Sequence, residues 1–157
     1  TCDRVNGVLT VYTDSTMRIP IKTIRVSVGK AGTETPTGTW TMHRAGRWQE
    51  LMGPSWGQYG THVVNGIFVH SVACGQANSY NLPVGEYLRL GNPASHGCIR
   101  ACVADAKWVW DNCNGSKIRI FDGTYTSNEA LKGPLGRKAL TPLRGSKNFD
   151  PTDPACK

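Results

Sequence analysis

Apolar and polar residues alternate along two early stretches, "GVLTVYT" (7–13) and "IKTIRVSVG" (21–29). Both are enriched in β-branched side chains, and the period of two predicts half-buried strands. The segment "KAGTETPTGTW" (30–40) is dense in Gly, Thr and Pro and predicts a turn-rich connection, after which "TWTMHRA" (39–45) restarts the alternation. No clean period runs through "RWQELMGPSWGQYG" (47–60), which reads as a loop with Trp48, Trp56 and Tyr59 available to line a groove. "NGIFVHSV" (65–72) opens on a turn signal and continues as a buried strand. The stretch 73–95 is mostly loop, with a short strand expected at 87–90. One helix is predicted, at "CVADAKWVWDN" (102–112). Its apolar residues form two stripes, Val103, Ala106 and Trp110, and Cys102, Ala106, Val109 and Cys113. Asp105 in the first turn complements the helix dipole, and Gly115 suits a left-handed end. "KIRIFDG" (117–123) is a closing strand. From Thr124 onward apolar density falls, which predicts a tail wrapped on the surface, tied down near Cys156.

Composition agrees with this mainly β picture. The chain has 157 residues with 18 Gly and 9 Pro, enough length for one hydrophobic core and rich in turn formers. No apolar run approaches the roughly 18 residues of a membrane span. "TCDRVNGVLTVY" lacks the basic start and apolar centre of a signal peptide, so the chain is expected to be a mature or trimmed segment. The net charge of +7 favours anionic partners in principle, but the charges are scattered, with no basic-aromatic ladder of the kind that tracks nucleic acid. Six cysteines, at 2, 74, 98, 102, 113 and 156, point to an oxidising, extracytoplasmic setting.

Candidate chemistry centres on "NPASHGCIRAC" (92–102). Cys98 reads as a nucleophile, a zinc ligand or a structural cysteine. A thiol is a weak nucleophile at neutral pH until a neighbour takes its proton. Gly97 frees the backbone beside it, so that N–H groups can converge on an oxyanion, and the following helix start lends positive potential. His70, at the end of the apolar run "GIFVHSV", is the candidate base. His96 is a second candidate, with its aim left uncertain by the intervening glycine. His43 and His62 have no supporting context. His96, Cys98 and Cys102, joined by His70, Cys74 or Cys113, form the competing zinc reading, which lacks the paired Cys-x-x-Cys knuckles of structural sites.

Four segments together resemble the catalytic domain of the bacterial cell-wall L,D-transpeptidases: "GKAGTETPTGTW" (29–40), "FVHSV" (68–72), "SHGCIR" (95–100) and "DAKWVWDN" (105–112). "FDPTDP" near the end is similar to the tail of some Gram-positive members. The resemblance implies a β-sandwich of mixed sheets with one short helix after the catalytic loop. It implies a catalytic domain over 1–123 with 124–157 as an extension packed on or tethered to it. It makes Cys98 the nucleophile and His70 the general base. Ser71 would orient the imidazole through its backbone, while His96, Gly97 and Cys98 would offer N–H groups to the oxyanion and Arg100 would brace the site or contact substrate.

The implied reaction uses neither metal nor cofactor. A tetrapeptide stem of peptidoglycan acylates Cys98 with loss of D-Ala, and the side-chain amine of residue 3 on a second stem takes the acyl group in a 3→3 crosslink. Hydrolysis of the same thioester (an L,D-carboxypeptidase) and non-catalytic wall binding are the alternatives. Acylation by carbapenems is also implied. The protein would be secreted or wall-associated, with any membrane anchor outside this chain. The 28 residues from His70 to Cys98 exceed the usual family spacing. The extra residues are expected to form an enlarged loop at the site with Tyr80 and Tyr87 as lid residues, joining Trp56 and Tyr59 along the groove. Cys102 stands where a Ser or Thr cap is common. Cys102 and Cys113 lie about 16 Å apart along a helix, too far to bridge. A Cys74–Cys102 disulfide is expected, since each lies four residues beyond a catalytic residue.

Overall fold

The computed structural model describes residues 1–145 and 148–156. The alternating segments become strands where their periodicity placed them. Strand β1 (Cys2–Asp3) is followed by β2 (Val8–Tyr12) and β3 (Pro20–Arg25). Next come β4 (Gly38–Thr41) and β5 (His43–Arg44), one extended run that passes from the first sheet to the second at buried Met42. Then come β6 (Trp48–Leu51), β7 (Ser55–Gln58), β8 (Thr61–Val64) and β9 (Ile67–Ser71). Helix α1 (Val84–Leu88) precedes β10 (Ile99–Ala101), α2 (Val103–Asn112) and β11 (Lys117–Phe121).

Two mixed sheets carry the core. The first has the order β3-β2-β1-β11-β4, with β1 and β11 parallel, and the second has the order β10-β9-β8-β5, with β10 and β9 parallel. The inner faces meet over Leu9, Ile24, Val26, Val69, Ile99, Ile118 and Ile120, and α2 adds Val103, Ala106 and Val109. Strand β11 shows why its sequence was readable: Ile118 and Ile120 are buried while Lys117 and Arg119 face water. The hairpin from β8 to β9 turns at Asn65, whose φ of 49° suits a tight primed turn ahead of Gly66.

Three local expectations are corrected. Residues 47–60 form not a loop but the β6–β7 hairpin, with Trp48 opposite Gln58 and Leu51 opposite Ser55. Residues 87–90 are not a strand: Val84–Leu88 forms a short helix whose only buried side chain is Tyr87. The Cys74–Cys102 bridge does not form, and all six cysteines are free thiols. Cys74 Sγ faces the carbonyl of Val72 and Cys102 Sγ faces Asp105, so each sulfur is turned to a local oxygen.

The chain from 73 to 92 builds a second, smaller core of Val72, Leu82, Tyr87 and Leu90, roofed by Leu140 and Leu143 of the tail. Arg137 anchors the tail, its buried Nη1 donating to the carbonyls of both Asn6 and Gly91 while Nε and Nη2 pair with Glu129. No helix among the described residues is long and apolar enough to cross a membrane.

Candidate active site

The parallel pairing of β9 with β10 sets His70 opposite Arg100 and Cys98, one residue before β10, level with Phe68, two residues along β9 from His70. His70, Cys98, Arg100 and His96 line one cavity of about 650 Å³, with Glu50 and Met52 of the β6–β7 hairpin on its far wall. His96 is exposed at the rim.

His70 is 2% exposed. Its Nδ1 is in hydrogen-bond contact with the carbonyl of Ser71. A carbonyl only accepts, so Nδ1 carries the proton and Nε2 is left as a bare base. Burial, with a smaller contribution from the Arg100 guanidinium, pushes the imidazole down to about 4 against the raising effect of the Ser71 carbonyl. The ring is therefore neutral at neutral pH. Gly57 of β7 lies flat against it: a Cβ there would stand 2.6 Å from Nδ1.

Cys98 is half-buried, and its thiol is raised by burial, partly offset by the Phe68 N–H and by Arg100. Its Sγ accepts from the Phe68 N–H at 3.4 Å and donates toward the Gly66 carbonyl at 3.5 Å. No hydrogen bond joins Sγ to the imidazole in this structure. The resting pair is a neutral thiol beside a neutral imidazole, both opening into one cavity.

The loop that presents Cys98 is fixed from behind. Gly97 has φ +128°, which disfavours any side chain, and its N–H donates to Ser95 Oγ at 3.1 Å. That N–H is therefore already committed, which narrows its expected oxyanion role to shaping the turn. Buried Thr35 accepts from Gly29 N at 2.9 Å and donates to Gly97 O at 2.6 Å, and Thr33 Oγ1 donates to Ser95 O at 3.0 Å. Thus the 29–40 segment cradles the 95–98 turn. The "TPTG" run was a visible signal of this segment, but nothing in it pointed to Gly97. Gly57 and Glu50 were missed as well, having been read as part of a loop.

Arg100 spans the site and the insert. Its Nη1 pairs with Glu86 of α1 at 2.8 Å, while its buried Nε has no partner among the described residues. The four expected groove aromatics are a correction, since none lines the cavity. Tyr59 and Tyr87 are buried, Tyr87 with its hydroxyl donating to Thr141 O at 2.6 Å. Tyr80 stacks edge-on against Phe149, and the Trp56 backbone pairs with Cys74. Large rings are worth most when removed from water: Tyr87 joins the second core and Tyr59 the main one, while Tyr80 stays half exposed. Cys102 and Cys74 are likewise outside the cavity, and no three His, Cys, Asp or Glu side chains among the described residues are grouped as a metal requires.

Comparison with known proteins gives the family and the fold. The family profile described as the YkuD L,D-transpeptidase catalytic domain matches residues 2–135. A short stretch of 27 residues is 59% identical to the protein named "Putative L,D-transpeptidase YciB" of Bacillus subtilis (strain 168), covering 17% of this chain and 14% of that one. Among solved structures, an L,D-transpeptidase from Mycobacterium tuberculosis H37Rv superposes with a TM-score of 0.60 at 20% identity, over 77% of this chain and 56% of that one. L,D-transpeptidase 3 from Mycobacterium tuberculosis, in complex with a faropenem-derived adduct, gives 0.57 at 18% identity, over 77% and 58%. These two share the fold with this chain, which spans little more than half of their length.

Proposed function

From the premise that this chain belongs to the family of L,D-transpeptidase catalytic domains, matched over residues 2–135, we propose that it is a cysteine acyltransferase acting on peptidoglycan stem peptides outside the cytoplasm. One observation carries the reading: a buried imidazole with a bare Nε2 opens into the same cavity as the thiol of Cys98.

In the proposed reaction the Cys98 thiol swings from Gly66 O toward His70 Nε2 and gives up its proton as it attacks the carbonyl of residue 3 in a tetrapeptide donor. Because the imidazole rests neutral, it is ready to take that proton throughout the neutral range. The oxygen of the tetrahedral intermediate is held by backbone N–H groups of the 96–98 turn, with those of Cys98 and His96 as donors and Gly97 N–H left to Ser95. D-Ala leaves with the proton from the imidazolium, and a thioester remains. The side-chain amine of residue 3 on a second stem then attacks, its proton passing to His70 as the Cys98 thiolate departs, which yields a 3→3 crosslink. Arg100, held by Glu86, keeps a positive charge beside the pair and favours the thiolate as it forms.

The test uses a tetrapeptide-bearing muropeptide and intact-mass analysis. Crosslinked dimers, together with a thioester mass on the protein that is lost in Cys98→Ala, are the expected result. Tripeptide without dimers would replace transfer by hydrolysis. Binding without any covalent mass on Cys98, with either muropeptide or faropenem, would overturn the enzymatic reading in favour of a wall-binding module.

A further inference from the structure

The segment beyond β11 reaches both arms of the site from behind. Helix α2 begins at Cys102, whose side chain makes no cap hydrogen bond. The missing cap comes from 47 residues away: Asp150 Oδ2 accepts from Val103 N at 2.8 Å, and Thr152 Oγ1 accepts from Ala104 N at 3.0 Å. One turn further on, buried Asp153 Oδ2 accepts from the Gln58 side-chain amide at 2.9 Å. Gln58 is the end of β7, and its other amide atom accepts from Arg47 at 2.8 Å. Its backbone N–H donates to Ser71 Oγ at 2.8 Å, Ser71 offers the carbonyl that orients His70, and the preceding Gly57 lies against the ring.

We propose that Asp153 is a positioning residue for the base: through Gln58 it holds the Gly57–Gln58 wall and Ser71, and so keeps the His70 imidazole in the tautomer and orientation that point Nε2 into the cavity. Among the described residues none beyond Arg100 lines the cavity, so in this proposal the tail acts through the wall behind the ring. Loosening it lowers the rate of thiol activation and leaves binding alone. The physical reason is that a buried strand end has few ways to be held laterally. Here the hydrogen-bonding capacity of a buried glutamine amide is met from two sides, by Arg47 and Asp153, which pins the wall against the ring. The proposal rests on His70 being the base, and its test separates the two ideas.

The experiment uses the full chain and two readouts: the saturation kinetics of Cys98 acylation by faropenem, followed by intact mass, and the ring ¹H–¹⁵N correlations of His70. Gln58→Glu sets two carboxylates face to face, and Gln58→Glu with Asp153→Asn restores the hydrogen bond with donor and acceptor reversed. Gln58→Glu is expected to lower the limiting acylation rate roughly tenfold or more at unchanged half-saturation, and to disturb the Nδ1–H tautomer signature. The double variant is expected to recover both. If Gln58→Glu does not fold, Asp153→Ala takes its place with the same expected split. A folded variant that acylates at the parental rate with unaltered ring correlations overturns the proposal, as does a double variant that folds yet stays as slow as the single one. If His70→Ala acylates as fast as the parent, the functional reading fails instead, and the ring correlations alone decide the positioning role.

Discussion

Cys98 and His70 come from two neighbouring parallel strands and line one cavity, Cys98 just before the start of β10 and His70 near the end of β9, and they are held in opposite ways. Cys98 rides a turn outside β10, half-exposed, with its sulfur between a backbone donor and a backbone acceptor of the β8–β9 hairpin. His70 lies within β9, buried, with Ser71 fixing one ring nitrogen and Gly57 closing one face. In the proposed reaction Cys98 is the nucleophile and must move between thiol, tetrahedral intermediate and thioester, which a sulfur held by two long contacts allows. His70 is the proposed base, and a locked ring suits the task of keeping one bare nitrogen aimed at one place. The supports differ in origin too: an N-terminal segment through Thr35 for the nucleophile, β7 and the C-terminal tail for the base.

The comparison is broken most severely by deleting either partner. His70→Ala is expected to lower faropenem acylation roughly 10²- to 10⁴-fold, with Cys98 still reactive toward a small thiol reagent. Cys98→Ala is expected to abolish acylation altogether, read by intact mass. A subtler attack on the locked side is Gly57→Ala. Its methyl collides with the imidazole, and a displacement of about 1 Å is expected to cost up to roughly 100-fold in acylation rate. The same overpacking is expected to cost about 1–3 kcal/mol of stability, read by calorimetry as a lowered unfolding midpoint.

Burial of the base has a pH signature. His70 titrates near 6.5 when unfolded and is pushed down to about 4 when folded, so between these values the unfolded chain binds the extra proton. Folding therefore carries no penalty from this group above about pH 6.5. It loses roughly 3 kcal/mol as pH falls through the window to about 4. Urea unfolding of the parent and of His70→Gln at pH 7 and pH 4 should show a steeper acid loss in the parent. Equal losses would mean that the ring is hydrated. The smallest effect is expected on the mobile side. Thr35→Val leaves Gly29 N and Gly97 O without their shared partner and should cost about 1–3 kcal/mol of stability. Its acylation rate should fall less than that of Gly57→Ala, since the turn retains Ser95 and the φ of Gly97.

How much of this was readable follows from which contacts are local. Strands β2 and β11 and helix α2 announced themselves, because one face of each meets the core and burial then copies the backbone period into the sequence. The β6–β7 hairpin did not. Trp48, Gln49 and Leu51 are all half-buried, so no face is marked, and only cross-strand pairing reveals the hairpin. Helix α1 has five residues and one buried side chain, Tyr87, too few for a period to show. Cys98 and His70 were candidates from their types and neighbours alone. Thr35, Gly57, Gln58 and Asp153 are ordinary residues whose importance lies in what they touch. Tyr59 and Tyr87 failed in the other direction: ring character suggested a groove, but area removed from water, and for Tyr87 a hydroxyl partner at Thr141, decided for the interior.

By itself the sequence determined the β-rich architecture, the helix after the 95–98 turn and the candidate thiol and imidazole, because periodicity and side-chain chemistry are properties of residues and near neighbours. Only the tertiary structure decided how the pair is aimed, which N–H groups are spent, where the cysteines point and that the tail reaches the base. Those outcomes depend on contacts between residues as far apart as 58 and 153, whose energies exist only once the chain has closed on itself.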